Sequence, residues 1–310
     1  GNVGGKLAGS LIRNGIDTVV RDLDRDAAQK FIDLGAGWAD SPREMAEMCD
    51  VIITCLPSPA ACSDVMEGDD GILDGLSPGK IWMEMSTTDE AEVKRLGEKV
   101  IAKGAEPVDC PVSGGCHRAD TGNISIFAGC ERGTFEKILP LTTVLGRRVL
   151  HTGPLGTAST LKVMTNYLAT ANLLTCCEAL VTMKAAGMDL ATTYEAMKIS
   201  SGTSFVHETE SQLILNGSRD VNFTIDLVLK DIGLFQTIAE RNNVPLEISP
   251  MIIDIMKDGQ KRYGERANSD DIIRRLEEAT GLSVLADGFP DDLIDDEPEE
   301  KGYEVVPPGR

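Results

Sequence analysis

Between residues 17 and 151 the chain repeats one pattern, a short apolar run followed by a turn and a helical stretch. The runs are TVVRD, DVIITCLP, KIWMEMS and AEPVDCPVSGG, with helical periodicity over residues 25 to 34 and around 89 to 103. Apolar runs too short to be helices, alternating with helices, are the signature of strands buried on both faces of a parallel sheet. This half is therefore predicted to be α/β and doubly wound. The runs end in small or polar residues: Leu56-Pro57-Ser58, Ser86-Thr87-Thr88, and Pro111 through Gly115. In open parallel sheets the carboxyl ends of the strands are where ligands bind, so three loops are expected to converge on one crevice.

After His151 the character changes. Residues 158 to 186 contain no Gly or Pro and are apolar around most of a helical circumference, which predicts a long helix buried on several sides. Further helical patterns follow over 190–199, 204–215, 224–242 and 249–262, so the second half reads as all-helical. From Leu282 onward nine acidic residues stand against Lys301 and Arg310, a balance near −7, and this composition predicts disorder. The expected organisation is a sheet domain over 1–153, an all-α domain over 154–281 and an acidic tail over 282–310.

The chain begins GNVGGKLAGS, glycines running straight into an amphipathic helix. Such a turn lets backbone N–H groups approach an anion closely while the helix dipole favours negative charge, so phosphate is a natural ligand. Glycines before a helix are also common in ordinary turns. Asp22, at the end of the next apolar run, lies about 20 residues further on, where a carboxylate can accept from the ribose hydroxyls of a dinucleotide. Gly1 and Gly4 then fit the last two glycines of GxGxxG in a Rossmann-type domain, and the first glycine with its strand is expected to precede residue 1. Asp22 favours NAD and would repel the 2′-phosphate of NADP. Arg21 beside it is the feature that could instead meet that phosphate.

A net charge of −20 argues against a nucleic-acid partner, which selects basic surfaces. No stretch approaches the roughly 20 apolar residues of a membrane span. The eight cysteines lack CxxC pairs or regular spacing, which suits reduced thiols in the cytoplasm, and Cys116-His117 alone does not make a metal site.

Within GPLGTASTLKVMTNY, residues 153 to 167, Lys162 has apolar neighbours and Asn166 follows one turn later on the same face. A lysine stem covering apolar surface would explain Lys162 by itself; a second polar group on the same face, where the sheet domain ends, favours a working role. The combination of GxxGxxxxxK with xxxN, PVSGG before it, LP after the third strand and KD in a later helix resembles the β-hydroxyacid dehydrogenase family, over residues 1 to about 280. The resemblance implies that Gly1, Asn2, Val3 and Gly4 belong to the pyrophosphate loop, and that Leu56 and Pro57 flank the cofactor. Ser86 and Thr87 fall near the nicotinamide, while Lys230, in VLKDIG, reaches toward the cofactor side from the helical domain. It further implies that Ser113, Gly114 and Gly115 hold the substrate carboxylate, that Asn166 orients the substrate, and that Lys162 is the catalytic lysine.

Removing hydride from an alcohol carbon requires that the hydroxyl proton leave too, so an acid/base must stand at that oxygen. A lysine can serve near neutral pH when burial or nearby positive charge disfavours its charged form. The chain departs from the family at Ala158, often glycine, and at Thr165, commonly Asn or, in the decarboxylating sugar-phosphate enzymes, His. His117 or Arg118, just after the two glycines, could contact a second anionic group on the substrate. The expected function is NAD-dependent oxidation of a small 3-hydroxyacid by a homodimer or homotetramer. An imine reductase and a non-catalytic oligomeric scaffold share the architecture, but both tend to lack the lysine retained at Lys162.

Overall fold

The computed structural model describes residues 1–309, in two units: Gly1–Lys162 together with the segment from Asp295 onward, and Val163–Ile294. The first unit runs α1 (Asn2–Arg13), β1 (Val19–Val20), α2 (Arg25–Asp33), β2 (Gly37–Trp38), α3 (Pro42–Met48), β3 (Val51–Thr54), α4 (Pro59–Glu67) and α5 (Ile72–Gly75). It continues with β4 (Ile81–Glu84), α6 (Glu90–Ala102), β5 (Glu106–Asp109), β6 (Val112–Ser113), α7 (Gly115–Thr121), β7 (Ile124–Gly129), α8 (Arg132–Leu145) and β8 (Gly146–Gly153). Helix α9 (Thr157–Ala185) leads into the second unit, which holds α10 (Leu190–Lys198), α11 (Phe205–Asn216), α12 (Ile225–Arg241), α13 (Ile248–Tyr263), a 3₁₀ turn and α14 (Arg274–Thr280). A last strand, β9 (Tyr303–Val305), returns to the first unit.

Strands β3, β4 and β5 are parallel, as are β7, β8 and β9. The sheet departs from all-parallel at β7, which pairs antiparallel with β5 at Asp109 and with β6 at Val112 and Ser113. Strands β1 and β2 pair in a separate two-stranded parallel sheet. All four residues of β4 are buried, with Trp82 fully enclosed, as expected of a strand covered on both faces.

Helix starts follow from local chemistry. The side chains of Ser41 and Ser58 accept from the N–H groups of Glu44 and Ala61 at 3.0 and 3.1 Å, each followed by proline at the first helical position. Asp24 and Asp89 cap α2 and α6 in the same way. In the helical unit Leu180, Ile214, Ile232 and Met256 form the centre of one apolar core.

The expected acidic tail over 282–310 is divided between the two units, and the domain divisions differ from those read in the sequence. Residues up to Ile294 belong to the helical unit, those from Asp295 onward to the sheet unit, and the first boundary falls at Lys162 inside α9; Arg310 lies outside the described residues. Composition averaged over the segment hides Tyr303-Glu304-Val305, whose register places it parallel to Arg148-Val149-Leu150. Its acids meet arginines of the sheet unit: Glu297 at 2.5 Å from Arg148 and Glu304 at 2.6 Å from Arg132.

In the helical unit two acids face each other. Asp270 is wholly buried, and burial with the adjacent Glu210 charge drives its carboxyl well above the usual range; burial likewise pushes Glu210 up to about 7. Carboxyls raised in the folded state stabilise it fully below their unfolded values and lose that contribution as pH rises through the folded ones. The melting temperature should therefore fall between pH 5 and pH 8, and Asp270→Asn should flatten that fall. An unchanged slope in the variant would show that the pair does not control it.

Candidate active site

The first turn of α1 begins at Gly1, and no side chain caps it, which leaves its amides suited to a phosphate. The backbone nitrogen of Gly1 lies 3.0 Å from Asp22, so the glycine turn and the acid at the end of β1 sit together. The Arg21 guanidinium donates to the carbonyls of Ala39 and Asp40 at 3.2 and 2.6 Å, which ties it to the segment after β2. Asn2, Val3 and Gly4 lie in the first turn of α1.

The loops after β3 and β4 are joined by a buried carboxylate that inspection of the sequence missed. Glu84 accepts from Thr54 Oγ1 at 2.8 Å, from the Cys62 thiol at 2.6 Å and from the Ser86 N–H at 2.7 Å. Ser86 Oγ in turn accepts from the Leu56 N–H at 2.7 Å. The Leu56-Pro57 and Ser86-Thr87 loops are thus brought together through Glu84, whose pKa burial raises. Its signal was an acid interrupting the apolar run KIWMEMS near the carboxyl end of a strand.

Asp109, across from Glu84 in the β4–β5 register, is a second such acid. It accepts from the N–H and the hydroxyl of Ser159 at 2.7 and 2.6 Å, placing negative charge at the start of α9. Burial, opposed by the Ser159 bonds, pushes Asp109 up to about 6. Ser159 and Lys162 are three residues apart on α9 and share a face, and Lys162 is only 7% exposed. The anchor that fixes the start of the helix therefore fixes the lysine's backbone one turn on.

The Ser113–Gly115 loop closes β6 and opens α7. Gly114 and Gly115 have φ of +130° and +84°, and a Cβ at Gly115 would meet the His117 ring at 2.9 Å, so both positions require glycine. A Cβ at Gly114 would lie 3.3 Å from Cδ of Arg118, whose stem thus lies over the loop.

In the helical unit Asn166, one turn beyond Lys162 along α9, donates to the buried Asp231 at 2.5 Å. Lys230 pairs with the same carboxylate at 2.8 Å. Asp231 joins the two sequence-predicted residues of this unit and had no role assigned from the sequence beyond its place in VLKDIG.

Among the described residues no group of three or more His, Cys, Asp or Glu side chains is arranged to hold a metal. No helix among them is long and apolar enough to cross a membrane. The uncapped first turn of α1, with Asp22 beside it, fits the pyrophosphate and ribose of a nicotinamide dinucleotide.

Residues 1–153 match the model for the NAD binding domain of 6-phosphogluconate dehydrogenase, and residues 156–276 match that for NAD-binding of NADP-dependent 3-hydroxyisobutyrate dehydrogenase. The chain is 30% identical over 285 residues to 2-(hydroxymethyl)glutarate dehydrogenase of Eubacterium barkeri, covering 92% of this chain and 95% of that protein. It is 29% identical over 264 residues to the mitochondrial 3-hydroxyisobutyrate dehydrogenase of Mus musculus, covering 83% of this chain and 79% of that protein. A crystal structure of 3-hydroxyisobutyrate dehydrogenase from Salmonella typhimurium superposes with a TM-score of 0.81 at 25% identity, covering 89% of this chain and 96% of the other. With an NAD(P)-binding sheet unit followed by a helical unit, and with relatives matched over 79 to 96% of their length, the chain belongs to the β-hydroxyacid dehydrogenase family.

Proposed function

We propose that the protein oxidises a small 3-hydroxyacid with NAD, and reduces the corresponding semialdehyde in the reverse direction, using Lys162 as acid/base. The observation that carries this reading is the buried Lys162 on a helix whose first turn is anchored by Asp109 through Ser159. The nicotinamide, when bound, supplies the hydride acceptor. Lys162 Nζ takes the hydroxyl proton as hydride leaves carbon, and returns it to the carbonyl oxygen in reduction. The loop Ser113-Gly114-Gly115 holds the substrate carboxylate, and Asn166, steadied by Asp231, orients the substrate. Gly1, Asn2, Val3 and Gly4 hold the pyrophosphate, Leu56, Pro57, Ser86 and Thr87 line the cofactor, and Lys230 serves the cofactor side.

Preference for NAD is supported by Asp22 and by the engagement of Arg21 with two backbone carbonyls. In Asp22→Ala the ratio of kcat/KM for NAD over NADP should fall by about tenfold, because a carboxylate that repels the 2′-phosphate is lost. An unchanged ratio would remove the basis for the preference. The eight free cysteines suit the reducing cytoplasm. Exposed apolar side chains in the helical unit, among them Ile199, Ile248 and Met251, support a homodimer or homotetramer.

The test is steady-state turnover with 3-hydroxyisobutyrate, 2-(hydroxymethyl)glutarate and a cyclic imine, each with the matching dinucleotide form. NAD reduction by a hydroxyacid with no imine reduction is expected. Imine reduction alone would replace this reading.

A further inference from the structure

We propose that the acidic segment after the helical unit sets the charge preference of the substrate-carboxylate loop. By holding Arg118 between Asp295 and Glu297, it commits the site to hydroxyacids with a single carboxylate. The proposal rests on the assignment of Ser113–Gly115 as that loop.

Arg118 stands beside the loop where a second carboxylate could meet it, since its stem lies over Gly114. Its guanidinium is turned to the returning segment instead, 3.9 Å from Asp295 and 3.7 Å from Glu297. Glu297 also pairs with Arg148 at 2.5 Å, so two guanidiniums face two carboxylates and the cluster is neutral as a whole. A neutral cluster beside the loop offers no net attraction to an added anion, whereas loss of either acid would leave positive charge there.

The segment is held firmly enough to impose this. The side chain of Asp295 is 1% exposed and accepts from Thr121 Oγ1 and, at 2.7 Å, from Asn123 Nδ2. Burial opposes its charge, but the Thr121 and Asn123 bonds with the Arg118 charge prevail and keep the carboxyl below its ordinary range. Asn123 Nδ2 also donates to the Glu297 carbonyl at 2.8 Å. Beyond, Gly302 donates to the Thr143 carbonyl at 2.9 Å, at a point so close that a Cβ would sit 2.0 Å from the Gly146 carbonyl oxygen. On its other side α7 is tied to α1 by Lys6 and Asp120 at 3.0 Å. The helix that carries Arg118 is thus fixed from two directions.

The experiment compares 3-hydroxyisobutyrate with 2-(hydroxymethyl)glutarate, which share the hydroxyacid core and differ by a second carboxylate. For wild type, Arg118→Ala, the double variant Asp295→Asn/Glu297→Gln, and the triple variant with Arg118→Ala added, the ratio of kcat/KM for the two acids is measured. The double variant should shift the ratio about tenfold toward the dicarboxylate, Arg118→Ala alone should give no shift in that direction, and the triple variant, which keeps only Arg148, should lose most of the double variant's shift. An unchanged ratio in the double variant overturns the proposal, including the case where both acids lose activity equally because α7 has only been loosened. The dissociation constants of both acids in the presence of NAD, measured by calorimetry, give the same ratio without turnover. Binding without oxidation by wild type would therefore refute the dehydrogenase reading while the binding ratio still decides the role of the segment. Failure of wild type and double variant to bind either acid overturns both.

Discussion

Lys162→Ala should lower kcat for the 3-hydroxyacid by about 100- to 10,000-fold, the range that a positioned acid/base contributes, while the dissociation constant for NAD stays within about twofold. The two effects separate because Lys162 lies on α9, whereas the residues proposed to hold the pyrophosphate and ribose are on α1 and at the end of β1. Lys162→Arg should not restore activity, since a guanidinium stays protonated at neutral pH and cannot accept the hydroxyl proton. Methylamine added to Lys162→Ala should restore part of the rate in proportion to its concentration, because the deleted side chain leaves room at that position. Steady-state kinetics together with NAD titration check all three expectations. Wild-type kcat in Lys162→Ala would take the lysine out of the chemistry.

Asp109→Ala should cost both stability and turnover. The carboxylate accepts two bonds from Ser159 in a place with no exposure, and its removal leaves a buried N–H and a buried hydroxyl at the start of α9 without that acceptor. Losing a charged acceptor at a buried helix start costs about 2 to 4 kcal/mol, visible as a lower midpoint in denaturant. Asp109→Asn keeps one acceptor oxygen and should lose less. Because Lys162 is one turn beyond Ser159, kcat should fall in Asp109→Ala even where the protein is fully folded by circular dichroism. A variant with normal turnover and a lowered midpoint would restrict Asp109 to holding the fold.

Much of this architecture was legible from local pattern. Runs such as DVIITCLP and KIWMEMS read as strands because burial on both faces leaves no room for alternation, and the Gly- and Pro-free stretch from 158 read as one helix because nothing in it stops one. The helices from Leu190 to Tyr263 fall within one residue of their sequence-predicted bounds. Strand β9 was not legible, since it and the acidic stretch before it are placed by partners far away in the chain: a ladder with β8, Glu304 on Arg132, and Glu297 and Glu300 on Arg148 and Arg147. The antiparallel pairing of β7 with β5 and β6 was likewise invisible, because a two-residue strand such as β6 carries no period.

The candidate site divides in the same way. Lys162, Asn166 and the Ser113–Gly115 loop stand out by residue type and spacing, which local sequence reports. Glu84, Asp109 and Asp231 act through hydrogen bonds to residues 22 to 65 positions away, and nothing local tells which partner a buried acid will find. Arg118 shows the cost of reading a side chain by its neighbours alone: beside the two glycines it suggests an anion site, yet its carboxylate partners come from residues 295 and 297.

The most direct test of the account is transfer of deuterium from a 3-hydroxyacid labelled at its carbinol carbon to NAD in a single turnover, followed by mass spectrometry of the dinucleotide for wild type and Lys162→Ala. The account predicts deuterated NADH from wild type, formed at least about 100 times more slowly by the variant. Bound NAD that acquires no deuterium in wild type, or acquires it equally fast in both proteins, would contradict it.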